Sequence, residues 1–351
     1  MKKLVVSLLL SVGVAGALLW LTLSRMAGQL EGEQSLAETL WQAVSAVSPW
    51  SMLLYALSFM VVHVSRIARW VYQVRPLGED NWRMVFRICA VGYAAIVLFP
   101  WRLGEVVRPF MLARESQKVD FAAAMGTAVT ERVIDGLLIT LLLFVCVATA
   151  PEAASATVQS AGLLSLSVFA SASVGIVLFA WQRPLAVRLL HATIGRASSG
   201  LASRLEGMLE GFTGGLASLR RSGALLPFLS LTVLYWTSNA LGIWILADAF
   251  GLAVPWYAGF GLLAVLVVGI MVPAGPGFLG NFQYFLGEGL RLYLPAVSIG
   301  AAGLAFSLTM NLVQLVLQVG FGIPFLAASG LGARGLIDLQ REAQSAGTHP
   351  A

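Results

Sequence analysis

Residues 273–280 read Pro-Ala-Gly-Pro-Gly-Phe-Leu-Gly, and they interrupt the apolar region 256–294. Proline removes a backbone donor and glycine permits sharp turns, so a helix that enters this stretch is expected to break. A second break is predicted at Pro100, which ends the apolar segment 84–100 and is followed by Trp-Arg-Leu-Gly. Two apolar regions of the chain therefore do not read as continuous helices.

The composition places the chain in a lipid bilayer. Of its 351 residues, 58% are hydrophobic and 11% are charged, whereas about 25% of the residues of ordinary globular proteins are charged. The three histidines, His63, His191 and His349, are too few and too scattered for a multi-histidine metal site, and no cofactor or catalytic set is predicted. The net charge of +5 comes from basic residues between apolar segments, which indicates no nucleic-acid partner.

The distribution of basic residues predicts which apolar segments cross the membrane. They occur at 4–24, 50–72, 84–100, 134–150, 162–181, 225–248, 256–272 and 300–328. The arginine-rich intervals 66–87, 102–120 and 182–224 all belong in the cytoplasm, which simple crossings of every segment cannot achieve. If 84–100 and 256–294 instead enter the membrane and return, the chain is an all-α integral membrane protein. It then has about six full transmembrane helices, two re-entrant broken helices and both termini in the cytoplasm.

A single polytopic membrane domain is predicted over residues 1–351, ending in a short tail at 329–351. Its halves, approximately 1–181 and 225–328, are joined by a basic, amphipathic, cytoplasmic linker at 182–224. The two broken helices enter from opposite faces, one in each half, which suggests an inverted-topology repeat. The uncharged N-terminal run is about as long as a full span of ~20 residues, which favours a retained helix over a cleaved signal peptide.

Five charged residues form the most informative constellation: Glu105, Arg108, Glu131, Arg132 and Asp135. Spacings of three and four residues allow pairing on one helix face, with two carboxylates flanking one cation. Charges inside membrane segments are usually paired or face a polar cavity. Two interpretations stay open: an ion-pair lock that fixes the re-entrant segment, or a site in which Arg108 and Arg132 bind an anionic head group.

The breaks themselves are a second candidate site. Their residues are Pro100, Pro273, Gly275, Pro276, Gly277, Gly280, Asn281 and Gln283. Glycine would let the backbone approach a ligand, and free N–H groups at the start of a half-helix would face an anion. Asn281 and Gln283 would add side-chain hydrogen bonds. A simple packing kink accounts for the same residues equally well.

The motifs resemble a known family. Leu-Gly-Glu-Val-Val-Arg-Pro at 103–109, followed by Glu-Arg-Val-Ile-Asp at 131–135, is similar to the lysylphosphatidylglycerol synthase transmembrane family, also called the flippase-like domain. Residues 273–280 look like that family's second Pro-Gly-rich signature, although Gln283 stands where the family often has a glutamate. The resemblance implies a multi-pass protein of a bacterial cytoplasmic (inner) membrane. The short tail implies a stand-alone member without the soluble aminoacyl-transferase domain.

Lipid transport is the leading hypothesis. The cargo would be a phospholipid or a polyprenyl-phosphate-type lipid, and no G-x-x-x-x-G-K-[ST] motif predicts an ATP-driven pump. One alternative is an intramembrane lipid-modifying transferase, with Glu105, Glu131 or Asp135 as general base, or an accessory subunit of a lipid glycosylation pathway. Another is a scaffold whose ion pairs are structural throughout. The sequence leaves open whether the protein forms a homo-oligomer.

Overall fold

The computed structural model describes residues 36–98, 104–149, 181–271 and 276–328, with parts of 13–24 and 164–179. Within the continuous ranges every regular element is a helix. The helices are α1 Leu36–Ser45, α2 Pro49–Val74, α3 Trp82–Leu98, α4 Gly104–Glu115, α5 Phe121–Thr149, α6 Arg183–Ala197, α7 Ser199–Arg221, α8 Leu225–Ala249, α9 Ala258–Gly269, α10 Asn281–Leu290 and α11 Ala296–Ala328. Short 3₁₀ turns follow α2 at Arg75–Leu77 and precede α10 at Pro276–Phe278.

Three of the described helices are long and apolar enough to cross a membrane. They are Pro49–Leu77, Leu225–Ala249 and Ala296–Phe325. The predicted class, an all-helical membrane protein, is therefore confirmed. The total of about six crossings and the side of the termini stay predictions, since segments 4–24 and 162–181 lie largely outside the described residues.

The first predicted reversal is a helical hairpin of α3 and α4. Arg87 near the start of α3 pairs with Glu115 at the end of α4. Further along, Gly92 of α3 lies against the side chain of Arg108 of α4. These pairings require the two helices to run antiparallel. The turn itself, including Pro100, lies outside the described residues.

The second reversal is a hairpin of α9 and α10. The Asn281 side chain donates a hydrogen bond to the Gly269 carbonyl at 3.2 Å, and Gly289 lies against Leu262. Between the helices, Gly277 and Gly280 adopt φ values of 72° and 82°, a left-handed conformation that costs glycine little. The chain thus turns back where the sequence predicted a break, although Pro273 and Gly275 fall outside the described residues.

The two halves share one order of elements: a long helix, a hairpin and a second long helix. The leading helices, α2 and α8, pack along each other and run antiparallel, because Ser58 meets Gly242 while Arg69 meets Thr232. The hairpin of each half then packs on the last helix of the other half, α3 on α11 and α9 on α5. Equivalent elements therefore make equivalent contacts.

Helix α5 begins at Phe121, well before the apolar segment 134–150, so Glu131, Arg132 and Asp135 lie within the helix. Hydropathy missed this because Glu131, Arg132 and Asp135 lower the average, while their pairing makes burial tolerable. The linker 182–224 forms two helices, α6 and α7, because Ser198 is extended and caps α7.

Candidate functional site

A network of paired charges lies at the centre of the described helices. Glu131 of α5 is completely buried and accepts hydrogen bonds from two arginines. Its Oε2 atom lies 2.8 Å from Arg108 Nη2, and its Oε1 atom lies 3.1 Å from Arg69 Nη2. Arg108 also donates to the Tyr93 hydroxyl at 2.8 Å. One carboxylate therefore joins α2, α4 and α5.

Asp135 completes the network one helical turn further along α5. Its two oxygens accept from Arg69 Nη1 at 2.7 Å and Arg69 Nη2 at 2.9 Å, a bidentate pair. Trp236 of α8 adds a hydrogen bond to Asp135 at 3.2 Å. Two guanidinium groups thus face two carboxylates, and the cluster carries no net charge. Such a neutral, fully paired cluster is the arrangement in which charges are tolerated away from water.

A cavity of about 560 Å³ lies beside this network. Both hairpins contribute to its wall, α3–α4 through Ile96 and Glu105, and α9–α10 through Leu266 and Phe282. Its volume is within the range of ligand sites, about 300–1,000 Å³. Phe278, in the turn between α9 and α10, also lines the cavity and has a φ of 57°. Side chains rarely adopt that conformation, so strain is stored at this wall.

The polar groups of the cavity come from α2, α4, α5, α8 and α11. Arg132 lies 3.6 Å from Glu105 and is partly exposed to the cavity. Arg66 stacks over the Tyr93 ring, with 4.0 Å from its Cζ to the ring centroid. No carboxylate among the described residues lies within ion-pair distance of Arg66. Asp135 belongs to the neutral network, so the described lining keeps Arg66 and Arg132 against Glu105, an excess of one positive charge.

A comparison with protein families places these features in context. The family model described as the lysylphosphatidylglycerol synthase TM region matches residues 4–317. The chain belongs to this family. The resemblance inferred from the motifs is thereby confirmed, and the protein is a membrane protein related to lipids. No curated protein matches the chain.

In this member of the lysylphosphatidylglycerol synthase TM family, the charged residues predicted from the sequence divide into two groups. Glu105, Arg132 and Asp135 line the cavity. Arg108 and Glu131 are fully enclosed and paired with each other. A ligand in the cavity therefore meets Arg132, whereas Arg108 is occupied inside the protein.

The polar residues of the second break point inward. Gln283 accepts from the Gly280 N–H at 2.8 Å, and Asn311 donates to the Gly277 carbonyl at 2.8 Å. Asn281 and Gln283 are both buried. These side chains hold the turn of the family's second signature in place, and Asn239, Gln314 and Gln318 supply amide groups to the cavity.

Arg66 and Arg69 were not predicted as site residues. In the sequence both lie in the arginine-rich interval 66–87 and read as loop charges, but α2 continues to Val74 and carries both. A signal was present: His63, Arg66 and Gln73 place polar groups at helical spacing within an apolar helix. On this side of α2, Arg66 lines the cavity and Arg69 anchors the network.

The close approach of α3 and α4 gives a first prediction. A methyl group at Gly92 would collide with the Arg108 side chain near its Cγ atom, whereas Gly136 of α5 faces open space. We expect Gly92→Ala to cost about 1–3 kcal/mol, the usual cost of overpacking, and Gly136→Ala to leave the thermal midpoint unchanged. Thermal unfolding in detergent measures both. Equal midpoints for the two variants would show that Arg108 moves aside freely.

Proposed function

We propose that this protein moves a lipid with an anionic head group between the leaflets of the membrane. The head group enters the cavity between the two hairpins, and Arg66 and Arg132 bind its phosphate. The acyl chains remain in the bilayer. The observation that carries the proposal is the cavity's excess positive charge beside apolar walls.

The cations fit this role through their chemistry. A guanidinium presents a planar fork of donors that matches two oxygens of one phosphate. Arg132 lies 3.6 Å from Glu105, which is longer than a strong ion pair. The side-chain contacts of Arg66 with the described residues are with the rings of Tyr93 and Tyr235. Both cations are therefore available to an incoming anion. Asn239, Gln314 and Gln318 add hydrogen-bonding groups for the rest of the head group.

The leucine-rich part of the cavity suits the glycerol and first methylene groups. Leu263, Leu266 and Val267 of α9 form this side of the wall. This apolar surface would keep the part of the lipid below the head group out of water. A small soluble anion would use only the polar half of the cavity.

An inverted repeat would supply the movement. The antiparallel packing of α2 and α8 supports a two-fold axis perpendicular to these helices. The sequence supports it as well, because Pro100-x-x-Leu103-Gly104 leads into α4 and Pro276-x-x-Leu279-Gly280 leads into α10. In such folds one repeat rocks against the other around a fixed site, which exposes the site to each side in turn.

The lipid-modifying transferase gains less support. A general base needs a carboxylate free to take a proton. In the cavity, Asp135 is held by a bidentate pair with Arg69, which leaves Glu105, 3.6 Å from Arg132, as the carboxylate to consider. Among the described residues that line the cavity, no nucleophile lies against such a base. Transport therefore accounts better for the arrangement of charges.

Transport is tested in reconstituted vesicles. Fluorescent phosphatidylglycerol is placed in both leaflets, and dithionite added outside destroys the outer-leaflet fluorescence. We expect vesicles with the protein to lose the inner-leaflet fluorescence too, because lipids exchange sides. Loss no faster than in vesicles with an unrelated membrane protein would contradict the proposal. Mass spectrometry of the lipids after incubation separates transport from lipid modification.

A bulky side chain in the cavity should block transport without unfolding the protein. Gly136 lines the cavity, and a methyl group added there would meet no neighbouring side chain within 4 Å. We expect Gly136→Trp to reduce the exchange rate to nearly that of protein-free vesicles, because the indole fills the head-group space. Gly136→Ala is the matched control and should keep the native rate. Full exchange by the tryptophan variant would place the lipid path elsewhere.

A further inference from the structure

Helices α6 and α7 form a basic hairpin outside the cavity. Arg183 at the start of α6 pairs with Glu210 of α7. Further along α6, His191 Nε2 lies 2.9 Å from Glu206 Oε2. Ser198 lies between the helices and accepts from the Leu201 N–H at 3.2 Å, which caps α7. These contacts fix the two helices as an antiparallel pair.

Helix α7 attaches the hairpin to the membrane domain. Gly211 lies against Gly126 of α5 at close range, and Gly215 faces the Thr130 side chain. Small residues permit this close approach of two helix backbones. Phe212, between the two glycines, is buried. The hairpin is therefore anchored through α7, and α6 packs mainly on α7.

The outer face of α6 combines apolar and basic side chains. Leu185, Arg188, Leu189, Ala192 and Arg196 are spaced to lie on one side of the helix, and all are exposed. A helix face that lies in water carries mainly polar side chains. On this face, however, Leu185 and Leu189 are 44% and 46% exposed. The pattern is that of a helix lying in a membrane interface, where arginine stems reach up to phosphates.

The balance of charged residues in the hairpin indicates what its exposed face binds. Residues 181–224 contain six arginines and two glutamates. Both glutamates are already engaged, by Arg183 and His191. Within the described part of the chain, Arg188 and Arg196 have no carboxylate partner. The exposed face thus carries uncompensated positive charge, which a surface rich in phosphate would neutralise.

The neighbouring helix fixes where this face lies. Helix α7 ends at Arg221, and α8, one of the three helices able to cross the membrane, begins at Leu225. So short a connection keeps the hairpin at the membrane surface. Trp181, just before α6, is 86% exposed, as expected of an interfacial anchor.

We propose that the outer face of α6 docks on the anionic lipid surface of the protein's own membrane, with Arg188 and Arg196 on lipid phosphates and Leu185 and Leu189 among the upper acyl chains. This docking is independent of the cargo in the cavity. It makes the hairpin sensitive to the anionic lipid content of the leaflet that it contacts.

A spin label at position 189 tests the docking in the full-length protein. The native thiols Cys89 and Cys146 are buried, so Leu189→Cys can be labelled selectively. In vesicles of phosphatidylcholine with phosphatidylglycerol, we expect the label to be accessible to oxygen and protected from a water-soluble nickel complex. Ser203→Cys, an exposed polar position on α7, is the matched control and should show the reverse.

Charge reversal tests the partner. Arg188→Glu and Arg196→Glu should each reduce the ratio of docked to free label about fivefold, because a basic residue near an anionic membrane contributes about 1 kcal/mol. Reversal of Arg114 and Lys118, which are exposed elsewhere, changes the net charge equally and should leave the label unaffected. A label at 189 that stays accessible to nickel in anionic vesicles overturns the proposal. The proposal is also overturned if protection of the label from nickel depends on the density of protein in the vesicles and not on phosphatidylglycerol. That result would mean that the face binds a second copy of the chain.

Discussion

Glu131→Ala is expected to destabilise the protein by about 3–5 kcal/mol, the cost of leaving a buried partner charge uncompensated. Glu131 is the only described carboxylate that reaches Arg108, and it also holds Arg69. Removing it leaves Arg108 buried, with the Tyr93 hydroxyl as its remaining oxygen partner among the described residues. The measurement is the thermal midpoint in detergent, together with the fraction of protein that elutes as a single species.

The matched control is Glu115→Ala. Glu115 pairs with Arg87 near the start of α3, and both side chains are partly exposed. Such a pair contributes about 0–1 kcal/mol, so the midpoint should change little. The double variant Glu131→Leu with Arg108→Met should recover much of the stability lost by Glu131→Ala, because it removes the stranded charge. If Glu131→Ala behaves like the control, the network does not stabilise the fold.

The largest effect on activity is expected from Arg66→Gln combined with Arg132→Gln. Each hydrogen bond to a charged group contributes about 1.5–3 kcal/mol, so losing both cations should slow exchange of fluorescent phosphatidylglycerol by about a hundredfold or more. Neither residue belongs to the buried network, so the thermal midpoint should stay close to that of the native protein. Exchange in reconstituted vesicles and unfolding in detergent are measured on the same preparation.

Arg114→Gln is the control for lost positive charge. Arg114 lies on α4, is exposed and does not line the cavity. We expect native exchange from this variant. A lipid without net charge should lose less from the double variant than phosphatidylglycerol does, because the missing interactions are mainly with the net negative charge. Unchanged phosphatidylglycerol exchange after loss of both cations would exclude them as head-group ligands.

The sequence predicted the polar centre but not its pairing. Spacing along one helix suggested Glu105 with Arg108, and Arg132 with Asp135. In the structure α4 faces α5, so the pairs form between helices, Arg108 with Glu131 and Arg132 with Glu105. Glu131 and Asp135 do flank one guanidinium, but the cation is not one of the five residues of the predicted constellation.

That cation is Arg69, which is 62 and 66 residues away from its partners along the chain. Local periodicity carries no information about such a contact, because it depends on which helices become neighbours. The chain reversals at the breaks were predictable because they depend on local sequence. Proline and glycine act on the backbone where they stand, as the positive φ values of Gly277 and Gly280 illustrate.

The neutral network also constrains how the chain enters the membrane during synthesis. An arginine or aspartate alone at the centre of a helix in lipid costs about 2.5–3.5 kcal/mol on insertion scales. Helices α2, α4 and α5 carry Arg69, Arg108, and the pair Glu131 and Asp135, and these charges cancel only when the three helices meet. Each of these charges is therefore costly in lipid until its partners are present. We expect the earlier helices to remain beside the insertion machinery until α5 has emerged, so that they leave it as one assembled group.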